Sequence, residues 1–233
     1  MTPETFEGIL LVNKPAGKTA FSLIAALRRI LNIRKIGHAG TLDPFATGVM
    51  VLLIGRPFTR LSDRMLTADK EYRAKIFLGV ATDSYDCDGT VTMQSDLVPT
   101  LEQVKATLAC FEGVIDQIPP MFSAKKVQGQ KLYELARKGK TIERAPVKVT
   151  IKLELLRYEY PYIDINVACS KGTYIRSLAH DIGTHLGCGA HLIELQRTRS
   201  GAYSLCRCID GALLFDSSVE KSLITTHIER VVA

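Results

Sequence analysis

The chain has 233 residues, 46% hydrophobic and 23% charged, a balance ordinary for a globular protein with a sizeable core. No apolar run approaches the length of a bilayer span. Glu4 and Glu7 precede the first apolar run, against the pattern of a secretory signal, so a cytoplasmic protein is expected. The net charge is +6 and unevenly spread: residues 1–80 hold 12 Lys and Arg against 6 Asp and Glu, residues 81–233 hold 18 against 18.

In chain order, Ile9–Val12 reads as a short strand running into a turn at Asn13-Lys14-Pro15-Ala16-Gly17. Residues 20–32 follow as an amphipathic helix, with Ile24, Leu27, Ile30 and Leu31 at helical spacing and Thr19 as N-cap. Val49–Ile54 is a continuous apolar run, the mark of a buried strand, and a helix is expected over 58–66. From Tyr72 to Leu78 the residues alternate, with Tyr72, Ala74, Ile76 and Leu78 on the inward face. Residues 147–155 and 163–167 alternate likewise and pair as antiparallel strands around a loop with Pro161. A helix over 173–186 carries Ile175, Leu178, Ala179, Ile182 and Leu186 on its buried stripe, with Arg176 off that stripe in the first turn. The helix dipole disfavours a cation there, so a nearby anion is expected. A strand falls within 190–205, and the C-terminus reads as helices with a frayed end. With no repeat or linker, the pattern is one α+β domain.

A second basic cluster lies in the otherwise neutral part, where residues 121–152 carry Lys125, Lys126, Lys131, Arg137, Lys138, Lys140, Arg144, Lys148 and Lys152 against Glu134 and Glu143. A solvated helix face explains either cluster alone. Two clusters flanking an acid-bearing loop fit a polyphosphate ligand better. The six cysteines form no Cys-x-x-Cys pair, and no His stands at zinc-ligand spacing from Cys206 and Cys208. Scattered buried thiols and no metal site are expected. The acidic run from Asp83 to Gly89 fails as a calcium loop, because Ser95 stands where the twelfth-position glutamate is needed; an Asx-stabilised turn suffices.

The most informative stretch is Gly37-His38-Ala39-Gly40-Thr41-Leu42-Asp43-Pro44-Phe45-Ala46-Thr47-Gly48-Val49. Pro44 biases Asp43 toward extended geometry. The glycines permit tight turns and close backbone approach. A carboxylate on such a loop, feeding a buried strand, reads as an active-site placement, although most Asp-Pro pairs merely start turns.

This string resembles the signature loop of the TruB family of tRNA pseudouridine synthases, in which the aspartate of the Gly-x-Leu-Asp-Pro-x-Ala-x-Gly pattern is catalytic. Other segments are similar to that family in the expected order: Gly8–Pro15, Lys70–Arg73, Thr82–Gly89, Gln117–Ala124, Lys131–Arg137, Cys169–Arg176 and Gly187–Leu192. The resemblance implies the pseudouridine synthase α+β fold, a mixed and largely antiparallel sheet flanked by helices. It implies one catalytic domain over 1–233, with about 100–147 as an inserted RNA-gripping segment and too few residues at the end for the PUA domain many members carry.

The implied reaction isomerises uridine to pseudouridine in the T-loop of tRNA, at position 55, and needs no cofactor. Asp43 is the implied nucleophile or base, Arg176 its cationic partner through the match at Tyr174-x-Arg176, and Tyr72 the active-site tyrosine that stacks on the base. Leu195 matches a pocket leucine, and His38 the histidine that enters the position vacated by the flipped base. Lys14, Lys126 and Arg137 are expected to hold phosphates. The implied partner is the T-arm of tRNA, with no membrane and no metal, and a monomer is expected. Basic clusters are equally consistent with a tRNA-folding chaperone that needs no catalysis, although such a binder has no need to keep an acid in a basic site. A small-molecule acid–base enzyme fits the charge distribution poorly.

Overall fold

The computed structural model describes residues 6–123, 125–127 and 129–229. The first elements are β1 (Gly8–Lys14), α1 (Ala20–Leu31), β2 (Ile36–His38), β3 (Thr47–Ile54), α2 (Arg56–Thr59), α3 (Ser62–Leu66) and β4 (Lys70–Leu78). Next come β5 (Val80–Thr82), β6 (Val91–Gln94), α4 (Leu101–Cys110), β7 (Gly113–Gln117), β8 (Lys126–Val127), β9 (Gln130–Lys131) and α5 (Leu132–Ala136). The last are β10 (Val147–Glu159), β11 (Tyr162–Cys169), α6 (Ile175–His185), β12 (Ala190–Ser200), β13 (Tyr203–Ser204), β14 (Ile209–Asp210) and α7 (Lys221–Thr225). The chain forms two compact units, one of Met1–Glu71 with Gln196–Ala233, the other of Tyr72–Leu195.

In the first unit β1 is central. It pairs antiparallel with β3, from Gly8↔Ile54 to Lys14↔Gly48, and parallel with β14 through Val12↔Ile209. The other edge of β3 takes β12 in parallel through Gln196↔Thr47 and Arg197↔Gly48, and β2 pairs β3 antiparallel. Burial on both faces explains the unbroken apolar runs of β1 and β3. Helix α1 begins in a capping box between Thr19 and Ser22 and buries Leu23, Ile24, Leu27 and Leu31.

The helix expected over 58–66 is instead two short helices, α2 and α3. Neither has a side-chain N-cap or a buried residue, so nothing propagates one helix through Arg60–Leu61.

In the second unit the strand order is β4-β11-β10-β7, and β10 pairs antiparallel with both β11 and β7. Tyr72, Ala74, Ile76 and Leu78 are buried, as the alternation predicts. In α6, Ile175, Leu178, Ala179 and Ile182 are buried, while Leu186 is the half-buried C-cap. Arg176 is buried too, at 4% exposure, not off the stripe, for the electrostatic reason given below.

All six cysteines are free; Cys169 and Cys188 are buried, Cys208 is half-buried against the apolar cluster of β1 and β3, and Cys87, Cys110 and Cys206 are exposed, contrary to the expectation of buried thiols. Among the described residues no cluster of His, Cys, Asp or Glu could hold a metal ion, and no helix is long and apolar enough to cross a membrane.

Candidate active site

The Asp43 loop connects β2 to β3 in the first unit. Asp43 is half-buried and outside any helix, as its Pro44 neighbour requires. Backbone bonds fasten both limbs: Ala39 N donates to Val51 O at 3.0 Å, and Gly17 N to Pro44 O at 2.8 Å. The Asn13 carboxamide oxygen accepts from Gly48 N at 3.1 Å, a side-chain tie between the end of β1 and the start of β3.

Two cations complete the fastening. Lys14 is fully buried, and its ammonium donates to the carbonyls of Pro15 (3.0 Å), Lys18 (2.6 Å) and Pro44 (3.0 Å). Burial lowers its pKa to about 8, against the opposing attraction of Asp43. Arg197 is also buried and donates to Val49 O, Thr41 O and Gly40 O at 2.7, 3.3 and 3.1 Å. Sequence reasoning missed Arg197, which carries no local signal: it is an arginine in an alternating strand. His38 ends β2 half-buried, with a buried Nδ1 that has no partner among the described residues. Burial, and secondarily Arg197, lower its pKa, so the imidazole is neutral at neutral pH.

The second unit carries Tyr72, Tyr174, Arg176 and Leu195. Tyr72 is 8% and Leu195 7% exposed, so both are packed side chains. Tyr174 precedes α6, and the Gln117 side chain clasps its backbone, accepting from Tyr174 N at 2.8 Å and donating to Tyr174 O at 3.0 Å. Arg176 donates to Ser84 O at 3.1 Å and Phe122 O at 2.8 Å, and its Nη1 lies 3.3 Å from Asp86 Oδ2.

Asp86 supplies the anion that a cation in the first turn of a helix calls for. The sequence reading treats 83–89 only as an Asx turn. Asp86 does hold that turn, accepting from Ser84 Oγ and from Asp88 N, while its second oxygen faces Arg176. The sequence signal for an acid here is the cation in the first turn of α6, which the helix dipole disfavours, and Asp86 is an acid that answers it.

Of the expected phosphate contacts, Lys14 has its three donors on carbonyls, and the side chain of Lys126 lies outside the described residues. Arg137 is exposed, with its guanidinium 5.4 Å from the centre of the Tyr133 ring; Lys131 lies over the same ring at 5.4 Å.

An α+β chain with a tethered aspartate loop and a buried arginine at a helix start belongs to the pseudouridine synthase class of folds. It is similar to a chain of a Cbf5–Nop10–Gar1 complex, with a TM-score of 0.72 and 29% identity over 97% of this chain and 60% of that one. It is also similar to a chain of an H/ACA ribonucleoprotein bound to a substrate RNA containing 2′-deoxyuridine, with a TM-score of 0.66 and 29% identity over 91% of this chain. The chain spans 53% of the length of that second neighbour.

Within that class the chain belongs to the TruB family. The model of the TruB family pseudouridylate synthase N-terminal domain matches residues 28–175, and that of the tRNA pseudouridylate synthase B C-terminal domain matches residues 176–232. The tRNA pseudouridine synthase B of Protochlamydia amoebophila is 61% identical over 223 residues, 95% of this chain and 85% of that one. That of Chlamydia trachomatis serovar L2 is 60% identical over 214 residues (92% and 89%), and that of Opitutus terrae 45% over 230 residues (95% and 93%).

Proposed function

We propose that this TruB-family pseudouridine synthase isomerises the T-loop uridine of tRNA at position 55. Asp43 is its nucleophile or general base, and Arg176 is the arginine that matches the family's catalytic cation. The reaction breaks the bond from ribose to the base nitrogen, turns the base, and rejoins it through carbon, so no atom enters or leaves apart from protons. Tyr72 and Leu195 pack the base. His38, neutral at working pH, enters the space the flipped uridine leaves, where a hydrogen-bonding ring serves better than a second charge. Lys131 and Arg137, over the half-buried Tyr133 ring, hold the RNA backbone. The protein acts in the cytoplasm as a monomer on the T-arm, without a metal. Lys14 acts through the loop it fastens, with no phosphate contact.

The observation that carries this reading is Asp43 on a loop tethered from both limbs, by Lys14 at Pro44 and by Arg197 at Gly40, Thr41 and Val49. Catalysis by a positioned group needs that order, and RNA binding alone does not. Unmodified tRNA incubated with the protein gives a T-loop stop in carbodiimide-dependent primer extension, and Asp43→Asn gives none while still binding tRNA. Absence of the stop with the parent, with tRNA bound, would favour the folding-chaperone reading.

A further inference from the structure

Arg197 is a fully buried cation, and among the described residues its hydrogen bonds go to three backbone carbonyls with no carboxylate in ion-pair range. Burying an unneutralised guanidinium is among the costliest placements available to a side chain. Holding two strands together does not require it, since neutral side chains also do so. The carbonyls it binds bracket the Asp43 loop: Gly40 and Thr41 precede Asp43, and Val49 follows it. The fork of the guanidinium reaches both limbs at once, which a single ammonium cannot do.

The backbone is shaped to admit it. Arg197 stands opposite Gly48 in the parallel β12–β3 pairing. Gly48 has φ +105°, and a Cβ there would fall 2.2 Å from Arg197 O and 2.6 Å from Arg197 N. Gly40 has φ +94°, and a Cβ there would come 3.4 Å from Arg197 Nη1. Two of the loop's glycines thus serve the approach of one arginine. Its charge is felt by both neighbouring ionisable groups, lowering His38 and Lys14.

We propose that Arg197 is a positioning residue for the reaction at Asp43. Through the carbonyls of Gly40, Thr41 and Val49 it fixes the height and direction of the carboxylate. Arg197 makes no contact with RNA in this role. The proposal rests on the functional reading above, so the parent must form pseudouridine and Asp43→Asn must not; failure there removes the functional reading itself.

Given an active parent, the test is single-turnover pseudouridine formation by Arg197→Lys and Arg197→Met, with the rate constant, the amplitude and the tRNA dissociation constant read separately. Lysine keeps the charge and loses the fork; methionine loses both. The expected rate constants fall about 10-fold or more in Arg197→Lys and about 100-fold or more in Arg197→Met, with tRNA affinity within about threefold of the parent. The His38 imidazole, followed by NMR, titrates higher in Arg197→Met than in Arg197→Lys. A residue with a structural role only would lower the amplitude, as part of the protein unfolds, and leave the rate constant of the remainder unchanged; that result overturns the proposal. Should Arg197→Met fail to fold, Arg197→Lys decides: a rate constant within about threefold of the parent overturns the proposal as well.

Discussion

Lys14 and His38 show how burial, more than any partner, sets the charge state around the Asp43 loop. Lys14 holds its proton less tightly in the folded chain, with a pKa of about 8 against 10.5 for the free side chain. Between these values the unfolded chain binds more protons than the folded one, so the Lys14 contribution makes stability rise with pH across that window. Urea unfolding of the parent and of Lys14→Met at pH 8 and pH 10 should show the parent gaining on the variant by about 1–2 kcal/mol; a constant difference would remove this account of Lys14. His38 has a folded pKa below its ordinary 6.5, so its contribution is present above that value and is lost as the pH falls through the folded one. The sequence places both residues beside the acid. It does not show that the ammonium of Lys14 is turned inward onto carbonyls, because Asn-Lys-Pro reads equally well as an exposed turn.

At the scale of elements, α6 is held at its first turn by segments distant in sequence. Gln117 clasps Tyr174, Ser177 Oγ donates to Ile118 O at 2.9 Å, and Arg176 reaches Ser84, Asp86 and Phe122. The Arg176–Asp86 pair is buried on both sides, at 5% and 7% side-chain exposure, so removing one charge deprives the other of a partner inside the protein. Asp86→Asn should therefore cost about 3 kcal/mol in urea unfolding. Asp83→Asn, at an exposed position of the same turn, should change stability by less than about 0.5 kcal/mol. Equal costs for the two would mean that the turn geometry matters and the ion pair does not. The helix itself is legible from its apolar spacing. The partner of its arginine is not, because Asp86 lies ninety residues earlier in a motif that local turn chemistry already explains.

For the whole molecule, the charge distribution sets how it meets a nucleic acid. Replacing Lys131 and Arg137 together by alanine should weaken tRNA binding about uniformly across sequences and reduce the magnitude of the slope of log K against log salt by about 2. Filter binding over a salt series measures this, and an unchanged slope would place those cations away from phosphate. The sequence alone determined the strands and helices with strong periodicity, the alternation that buries Tyr72, and the loop that carries Asp43. These follow from short-range causes: the period of apolar residues, the restriction Pro44 imposes, and the capping of Thr19. Only the tertiary structure decided that 56–66 breaks into two helices, that Lys14 and Arg197 turn inward to tether the loop, and that Asp86 answers Arg176. Each of these depends on which backbone carbonyls and charges are left without partners once distant segments pack together, and no window of neighbouring residues contains that information.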